Sequence, residues 1–297
     1  MPGFTSRDHI INSLTEGQTE NLVFSKNAIA TSPVVSPGSW QQTIGMFSSL
    51  WTLNGAYPAG VNSATLGTLT NYTSGNGMTV SSRGTGAVRH LISFSISSNF
   101  QSQVTTAGSL LLCDRLQSIF VNLNAARTIT GGGQSVPRYA GAFAVNNELW
   151  IEWVGAGTAA TSTVIVTYLD STGTSRTTPT LTIPIVSTVG AMLRVPLVSD
   201  NRPGKGISQI VSITGTNAAG GTVNFVILRP LAWVPITAPA ITVTSQSVSA
   251  ETNYLDGVLS LPKIFDDANL TFMEISSGGT SLQFRLCGTL KTAYTLT

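Results

Sequence analysis

GISQIVSITGTNAAGGTVNFVILRPLAWVPI, residues 206–236, reads as two adjacent strands of an antiparallel sheet, and this reading decides the fold class. In the first arm Ile207, Val211 and Ile213 share one parity with Gln209, while Ser208 and Ser212 share the other with Ile210. That near-alternation is the signature of a half-buried strand. In the second arm Val223, Phe225 and Ile227 point one way, and Val226 and Leu228 make the opposite face apolar as well. A strand apolar on both faces is predicted to be central. Between the arms, residues 215–221 supply Asn and Gly, which tolerate positive φ and let the chain reverse.

Working outward, strands are predicted at 88–96, at 143–154 and at the closing Leu282, Phe284 and Leu286. A hairpin is predicted from 163–169 to 180–186, with its tip near Gly173. A short strand at 192–198 holds Pro196 and so belongs at an edge or bulge. The run LLLCDRLQSIFVNL, residues 110–123, fits a buried strand and equally a helix, because periodicity does not separate the two. Loops dominate 31–86, with Trp40, Phe47 and Trp51 as anchors beneath them. A Pro-rich passage covers 230–239, and 249–256 suits one helical turn. Eight to ten strands result, which predicts an all-β antiparallel two-sheet sandwich, jelly-roll-like, with one or two short helices. Residues 1–30 form an N-terminal arm whose short helix, capped by Asp8, carries Ile10, Ile11 and Leu14 as candidate contacts with the body or a neighbouring subunit. The body is 31–297, with a candidate subdivision near 125–140.

Only 9% of the 297 residues are charged, and the mean hydropathy is +0.24. Ordinary soluble domains carry roughly 25% charge. Such a chain suits a subunit that buries area in an assembly, or else a secreted β protein with a hydroxyl-rich surface. The net charge is +2 and the 15 Lys and Arg form no run, so no specific nucleic-acid partner is expected. The N-terminus lacks the pattern of a signal peptide and no stretch approaches ~18 apolar residues, so no membrane span is expected. Cys113 and Cys287, in apolar surroundings, are expected as two buried thiols rather than a disulfide.

Catalytic chemistry finds little support. His9 and His90 stand in unrelated segments, and no G-x-S-x-G or H-E-x-x-H pattern is present. Glu148 and Glu152 share a strand face at ~13 Å, beyond the ~5–9.5 Å of glycosidase acid pairs. Asp266 and Asp267 are adjacent and lack the alternating ligand spacing of a calcium loop. No metal, cofactor or catalytic residue is therefore expected. In 143–154 the core side takes Leu149, Ile151 and Trp153, leaving Glu148, Trp150 and Glu152 outward. Trp150 is then the best single contact candidate: it stacks on a sugar ring, fills a partner's pocket, or is buried on the second face of the sheet. Two sequons, at Asn71 and Asn269, mean nothing without secretion.

Four phrases recur in this order in structural proteins of tailed-bacteriophage particles, which the chain resembles along most of its length. They are Asp8-His-Ile-Ile-Asn-Ser-Leu, VPRYAG (136–141), Leu228-Arg-Pro-Leu-Ala-Trp-Val-Pro-Ile and Leu261-Pro-Lys-Ile-Phe-Asp-Asp-Ala-Asn-Leu. In the last phrase Lys263 and Asp267 stand where the family pattern has Arg and Gly. The resemblance implies a noncatalytic virion component of the capsid decoration or minor capsid type, assembled in the host cytoplasm and located in the capsid. The implied partners are the major capsid protein or other virion proteins, with self-association as trimers or dimers. The alternative is a head- or tail-associated adhesin gripping host glycans through Trp150 and the loops; an enzyme acting on polysaccharide is disfavoured by the missing acid pair.

Overall fold

A computed structural model describes residues 4, 6–27, 47–51, 60, 65–73, 77–80, 82–83, 88–100, 107–123, 127–130, 134–155, 162–183, 189–198, 206–216, 221–237, 246–254, 261–276 and 284–295. Trp40, the 131–133 glycines and Leu282 lie outside them. The described chain runs α1 (Arg7–Thr15), β1 (Thr19–Asn27), β2 (Phe47–Ser49), β3 (Leu69–Asn71), β4 (Met78–Thr79), β5 (Val88–Phe100), β6 (Ala107–Asn122) and β7 (Arg127–Thr130). A 3₁₀ turn (Gly141–Ala144) leads to β8 (Glu148–Gly155), β9 (Ser162–Asp170), β10 (Ser175–Thr177), β11 (Leu181–Ile183) and β12 (Ala191–Arg194). The rest is β13 (Ile207–Thr216), β14 (Thr222–Thr237), β15 (Gln246–Asn253), β16 (Lys263–Ile264), β17 (Asn269–Ser276) and β18 (Phe284–Thr295).

The fold is all-β, but the described strands make three sheets rather than the expected two. Six strands close on themselves in the order β6-β14-β8-β12-β2-β17, β17 returning to β6, with β3 and β4 attached outside the ring. An open sheet β1-β18-β5-β15, with β16 beside β5, covers one part of the barrel wall. A second open sheet, β10-β9-β13-β7 with β11 on β9, covers another. Every pairing between these strands is antiparallel.

The two arms of 206–236 are therefore not neighbours in one sheet. β13 pairs with β9 and β7, whereas β14 pairs with β6 and β8. Both strands have their two edges taken by other partners, so they meet face to face instead. Ile207, Ile210 and Ile213 pack in one cluster with Val223, Phe225 and Ile227. Register shifts in β13 between Ile207 and Gln209 and between Ile210 and Ser212 bring the three isoleucines to one face. Simple parity had assigned Ile210 to the other side. β14 is central, as its two apolar faces require: Val223, Phe225 and Ile227 line the outer wall, while Val226 and Leu228 enter the barrel.

β14 continues through Pro230 and Pro235 to Thr237, past the last β8 partner, Glu148. Proline is tolerated in a strand where the missing N–H faces an edge, and this part of β14 pairs only with β6 among the described strands. There Val234 and Ala232 join Leu110, Leu112, Leu270 and Phe272 against Leu22, Phe24, Phe94 and Leu290 of the first open sheet. The ring of Phe272 sits 4.4 Å from Phe24 and 5.9 Å from Phe94, centroid to centroid. The 110–123 run is strand β6, not helix, and of the helical turn expected at 249–256 the part through Asn253 is instead strand β15, while 255–256 lie outside the described residues.

Within the expected N-terminal arm, Thr19–Asn27 is a full edge strand on β18. The helix α1 is capped by Ser6, whose Oγ accepts from His9 N at 3.1 Å, and Asp8 falls in the first turn instead. Ser6→Ala is expected to cost the helix about 1 kcal/mol, read as faster amide exchange confined to residues 7–15.

The β9–β10 hairpin turns on Asp170, with Gly173 at φ 77°. Asp170 Oδ1 accepts from Thr172 N at 2.8 Å, Thr172 Oγ1 at 2.5 Å and Thr174 N at 3.1 Å, and Oδ2 from Arg176 Nε at 3.2 Å. Burial pushes this carboxyl up, but the hydrogen bonds outweigh it and hold it down to about 2, from an ordinary 3.8. A folded-state pKa below the unfolded one adds stability that is complete above about pH 4 and lost as pH falls through about 2. The gap in denaturation midpoint between wild type and Asp170→Asn is thus expected to close between pH 6 and pH 2. A gap unchanged over that range overturns the assignment.

Candidate functional site

β6 carries Asp114 and Arg115 side by side inside an apolar strand, and neighbours on a strand point to opposite faces. Asp114 points out of the barrel wall. Arg138, from the VPRYAG loop, meets it with two bonds, Nη2 to Oδ1 at 2.6 Å and Nε to Oδ2 at 2.9 Å. Its remaining hydrogens go to Tyr72 O at 2.7 Å and Arg115 O at 3.2 Å, and Asp267 Oδ2 lies 3.4 Å from Nη1. Asn269 N donates to Asp114 Oδ1 at 2.9 Å. Burial raises the Asp114 carboxyl, and Arg138 and the Asn269 amide oppose the rise.

Asp266 serves the other side of the same turn. It accepts from Arg83 N at 2.8 Å and pairs with Arg89 of β5 at 3.5 Å. Glu20 of β1 binds both arginines, at 2.8 and 3.1 Å. The turn between β16 and β17 thus ties the first open sheet to the barrel through two adjacent aspartates that share no ligand. Among the described residues no group of three or more His, Cys, Asp or Glu converges as a metal site would. Asp267 keeps a negative φ, so it needs no left-handed backbone.

Next to this junction, residues 139–147 make a locked turn. Tyr139 (φ 50°), Gly141 (φ 56°) and Asn146 (φ 72°) are left-handed, which costs about 1 kcal/mol or more at each non-glycine. The surroundings hold them there. Tyr139 Oη donates to Lys263 O at 2.8 Å, its ring meets Phe265 edge-on at 4.7 Å, and Arg229 lies over it at 4.9 Å. Arg229 Nη1 also donates to the carbonyls of Phe143 and Val145. Asn147 Nδ2 donates to Tyr139 O and Ile207 O, both at 3.1 Å. At the apex Phe143 is 74% exposed.

Arg115 points into the barrel and meets Glu152 Oε2 at 2.7 Å, with its guanidinium over Trp51 and Tyr72 at 4.7 and 4.9 Å. Burial pushes the Glu152 carboxyl up, but Arg115, Ser49 and Asn224 more than offset it and hold it below the ordinary range. Cys113, Trp150, Met192, Val226, Leu228 and Met273 fill the centre of the barrel. Trp150 is thus 2% exposed, its ring edge-on to Phe47 at 5.0 Å and its Nε1 donating to Glu148 at 3.0 Å. This corrects the outward placement of Trp150 and Glu152. Closing the sheet into a barrel turns its second face into an interior.

Of the arm residues, Ile10 and Leu14 are half-buried on a helix that lies against β18, and Ile11 is 45% exposed. Trp233, which parity did not single out, is 51% exposed. Neither sequon is free: Asn71 bonds Gln117 and Gln134, and Asn269 is buried. Cys113 and Cys287 form no disulfide; Cys113 is buried as expected, but Cys287 is exposed, which corrects its expected burial. Among the described residues no helix is long and apolar enough to cross a membrane.

No family model and no curated protein matches this chain. Two solved structures are similar to it at 8% identity and a TM-score of 0.19, both from infectious bursal disease virus. One is the structure of its Gt strain, covering 93% of this chain and 80% of that one. The other is a point mutant of its VP2 protein in derived T=1 particles, covering 93% of this chain and 77% of that one. Superpositions at that score assign neither fold family nor role.

Proposed function

We propose that the chain is a noncatalytic structural subunit of a bacteriophage particle, of the capsid decoration or minor capsid type. The observation that carries this reading is where the phrases shared with tailed-phage structural proteins fall. Residues 136–141, 228–236 and 261–270 meet around the Asp114–Arg138 pair and the locked turn, and residues 8–14 lie in the helix docked on β18. What the phrases build is a brace between sheets, with every acid engaged by an arginine or a backbone amide. Low surface charge supports the same reading, since apolar burial worth ~25 cal/mol per Å² accumulates when one contact repeats over a shell. The glycan-binding alternative loses Trp150 as a contact, since that ring is buried, and keeps only the loops.

Peptide mass spectrometry of gradient-purified particles is the test, followed by a density map that places the chain in the head. Stoichiometric recovery is expected, together with earlier loss of DNA on heating in particles made without it. Particles that never contain the chain overturn the reading.

A further inference from the structure

We propose that β1 is a dimerisation edge: it pairs antiparallel with β1 of a second copy about a two-fold axis at Val23, joining the first open sheet of each copy into one. The inference goes beyond the particle reading and does not depend on it. β1 ends its sheet. Its nine residues pair with β18 on one side without a register shift, and no described strand lies on the other. An edge strand presents a row of main-chain donors and acceptors, and proteins blunt such edges by shortening them or with proline, bulges or outward lysines. TENLVFSKN has none of these. Its outer face carries Asn21, Val23 and Ser25, with Val23 62% exposed, and its inner face carries Glu20, Leu22, Phe24 and Lys26.

The inner face decides which strand fits. Inward charge on an edge strand ordinarily deters pairing, because an added strand buries that charge with nothing to answer it. Lys26 is buried, and burial pushes its ammonium down to about 8 from an ordinary 10.5. A strand of unrelated sequence brings it no acid. A second copy of β1, run antiparallel about Val23, does so position by position. Lys26 then faces Glu20 of the copy, Phe24 faces Leu22, Ser25 faces Asn21, and Val23 faces itself. Base meets acid, apolar meets apolar and hydroxyl meets amide, the cross-strand pairs that stabilise neighbouring strands. Sliding the copy by two residues sets Lys26 against Leu22 or Glu20 against Phe24, and sliding it by one sets inner residues against outer ones. One register is therefore favoured. Arg83 and Arg89 hold Glu20 at 2.8 and 3.1 Å, so the carboxylate that receives the lysine is fixed before the copy arrives. Both copies offer the same edge, so the contact is isologous and closes as a dimer.

Sedimentation velocity over a concentration series tests this with Val23→Lys and Val23→Glu. Val23 is exposed and points outward, so each variant is expected to keep the wild-type unfolding midpoint, measured at dilution where the dimer does not contribute. Wild type is expected to pass from monomer to dimer as concentration rises. Each variant alone, with like charges opposed on the axis, is expected to dimerise at least about tenfold more weakly, and an equimolar mixture of the two to recover to within about threefold of wild type. The register has its own readout. In a Cys287→Ser background, Val23→Cys is expected to crosslink copy to copy on mild oxidation and Asn21→Cys is not, because only Val23 meets its own counterpart closely enough for a disulfide. Wild type that stays monomeric, a Val23→Lys variant that dimerises normally, a mixture that does not recover, or crosslinking by Asn21→Cys overturns the proposal. Any of these results leaves the particle role standing, since that role is tested by recovery of the chain from particles.

Discussion

Arg138→Ala is expected to destabilise the protein by about 3–5 kcal/mol, the cost of stranding one half of a buried ion pair. Deleting the guanidinium leaves Asp114 buried with only the Asn269 amide, and removes the donors to Tyr72 O and Arg115 O. The stranded carboxyl answers by taking up a proton. Burial already holds this carboxyl above its ordinary value in the wild type and loss of the guanidinium raises it further, so stability in the variant is retained at low pH and lost as pH rises through the raised value. The deficit against wild type should therefore be larger at pH 8 than at pH 4.5 in urea denaturation. Arg138→Met with Asp114→Leu should cost less than the sum of the singles, because no lone charge remains inside. An additive cycle, or a deficit independent of pH, would show that the pair contributes only packing.

The strand content was legible because alternation survives wherever one face is wet: β9 alternates buried and half-buried side chains along its whole length. Closure of the barrel was not legible. β8 looks amphipathic in sequence, with Glu148, Trp150 and Glu152 on one parity, and that pattern does not distinguish water from the interior of a barrel. Ring closure depends on β17 returning to β6, a pairing between strands more than 140 residues apart that no local pattern encodes. Register shifts did the same to β13. One signal for the junction is present: Asp114-Arg115 is a charged pair inside β6, which with β14 is one of the two longest described strands, and buried charge needs a partner. Nothing local to VPRYAG indicates that its arginine is that partner. By pattern Phe143 opens the 143–154 strand, whereas three left-handed residues make the stretch around it a turn.

Gly206→Ala is expected to cost about 3 kcal/mol and to disturb the locked turn as well. A Cβ at this position would lie 2.2 Å from Ala144 O and 3.0 Å from both Asn147 N and Asn147 O. These are backbone atoms, so no rotamer change relieves the clash. The strand β13 must move away, or residues 144–147 must. Either movement breaks bonds that set the turn, since Ile207 N donates to Asn147 O at 3.4 Å and Asn147 Nδ2 donates to Ile207 O. Gly173 supplies the control. A Cβ there meets nothing within 4 Å, and only its φ of +77° opposes substitution, so Gly173→Ala should cost about 1 kcal/mol. The two variants separate steric exclusion from backbone strain. With Gly206→Ala, hydrogen exchange should quicken across residues 139–147 and at the start of β13. With Gly173→Ala, exchange across residues 139–147 should be unchanged. A Gly206→Ala protein with wild-type stability would mean that β13 does not run against the 144–147 backbone at all, and the rigid mounting of Phe143 would lose its physical basis.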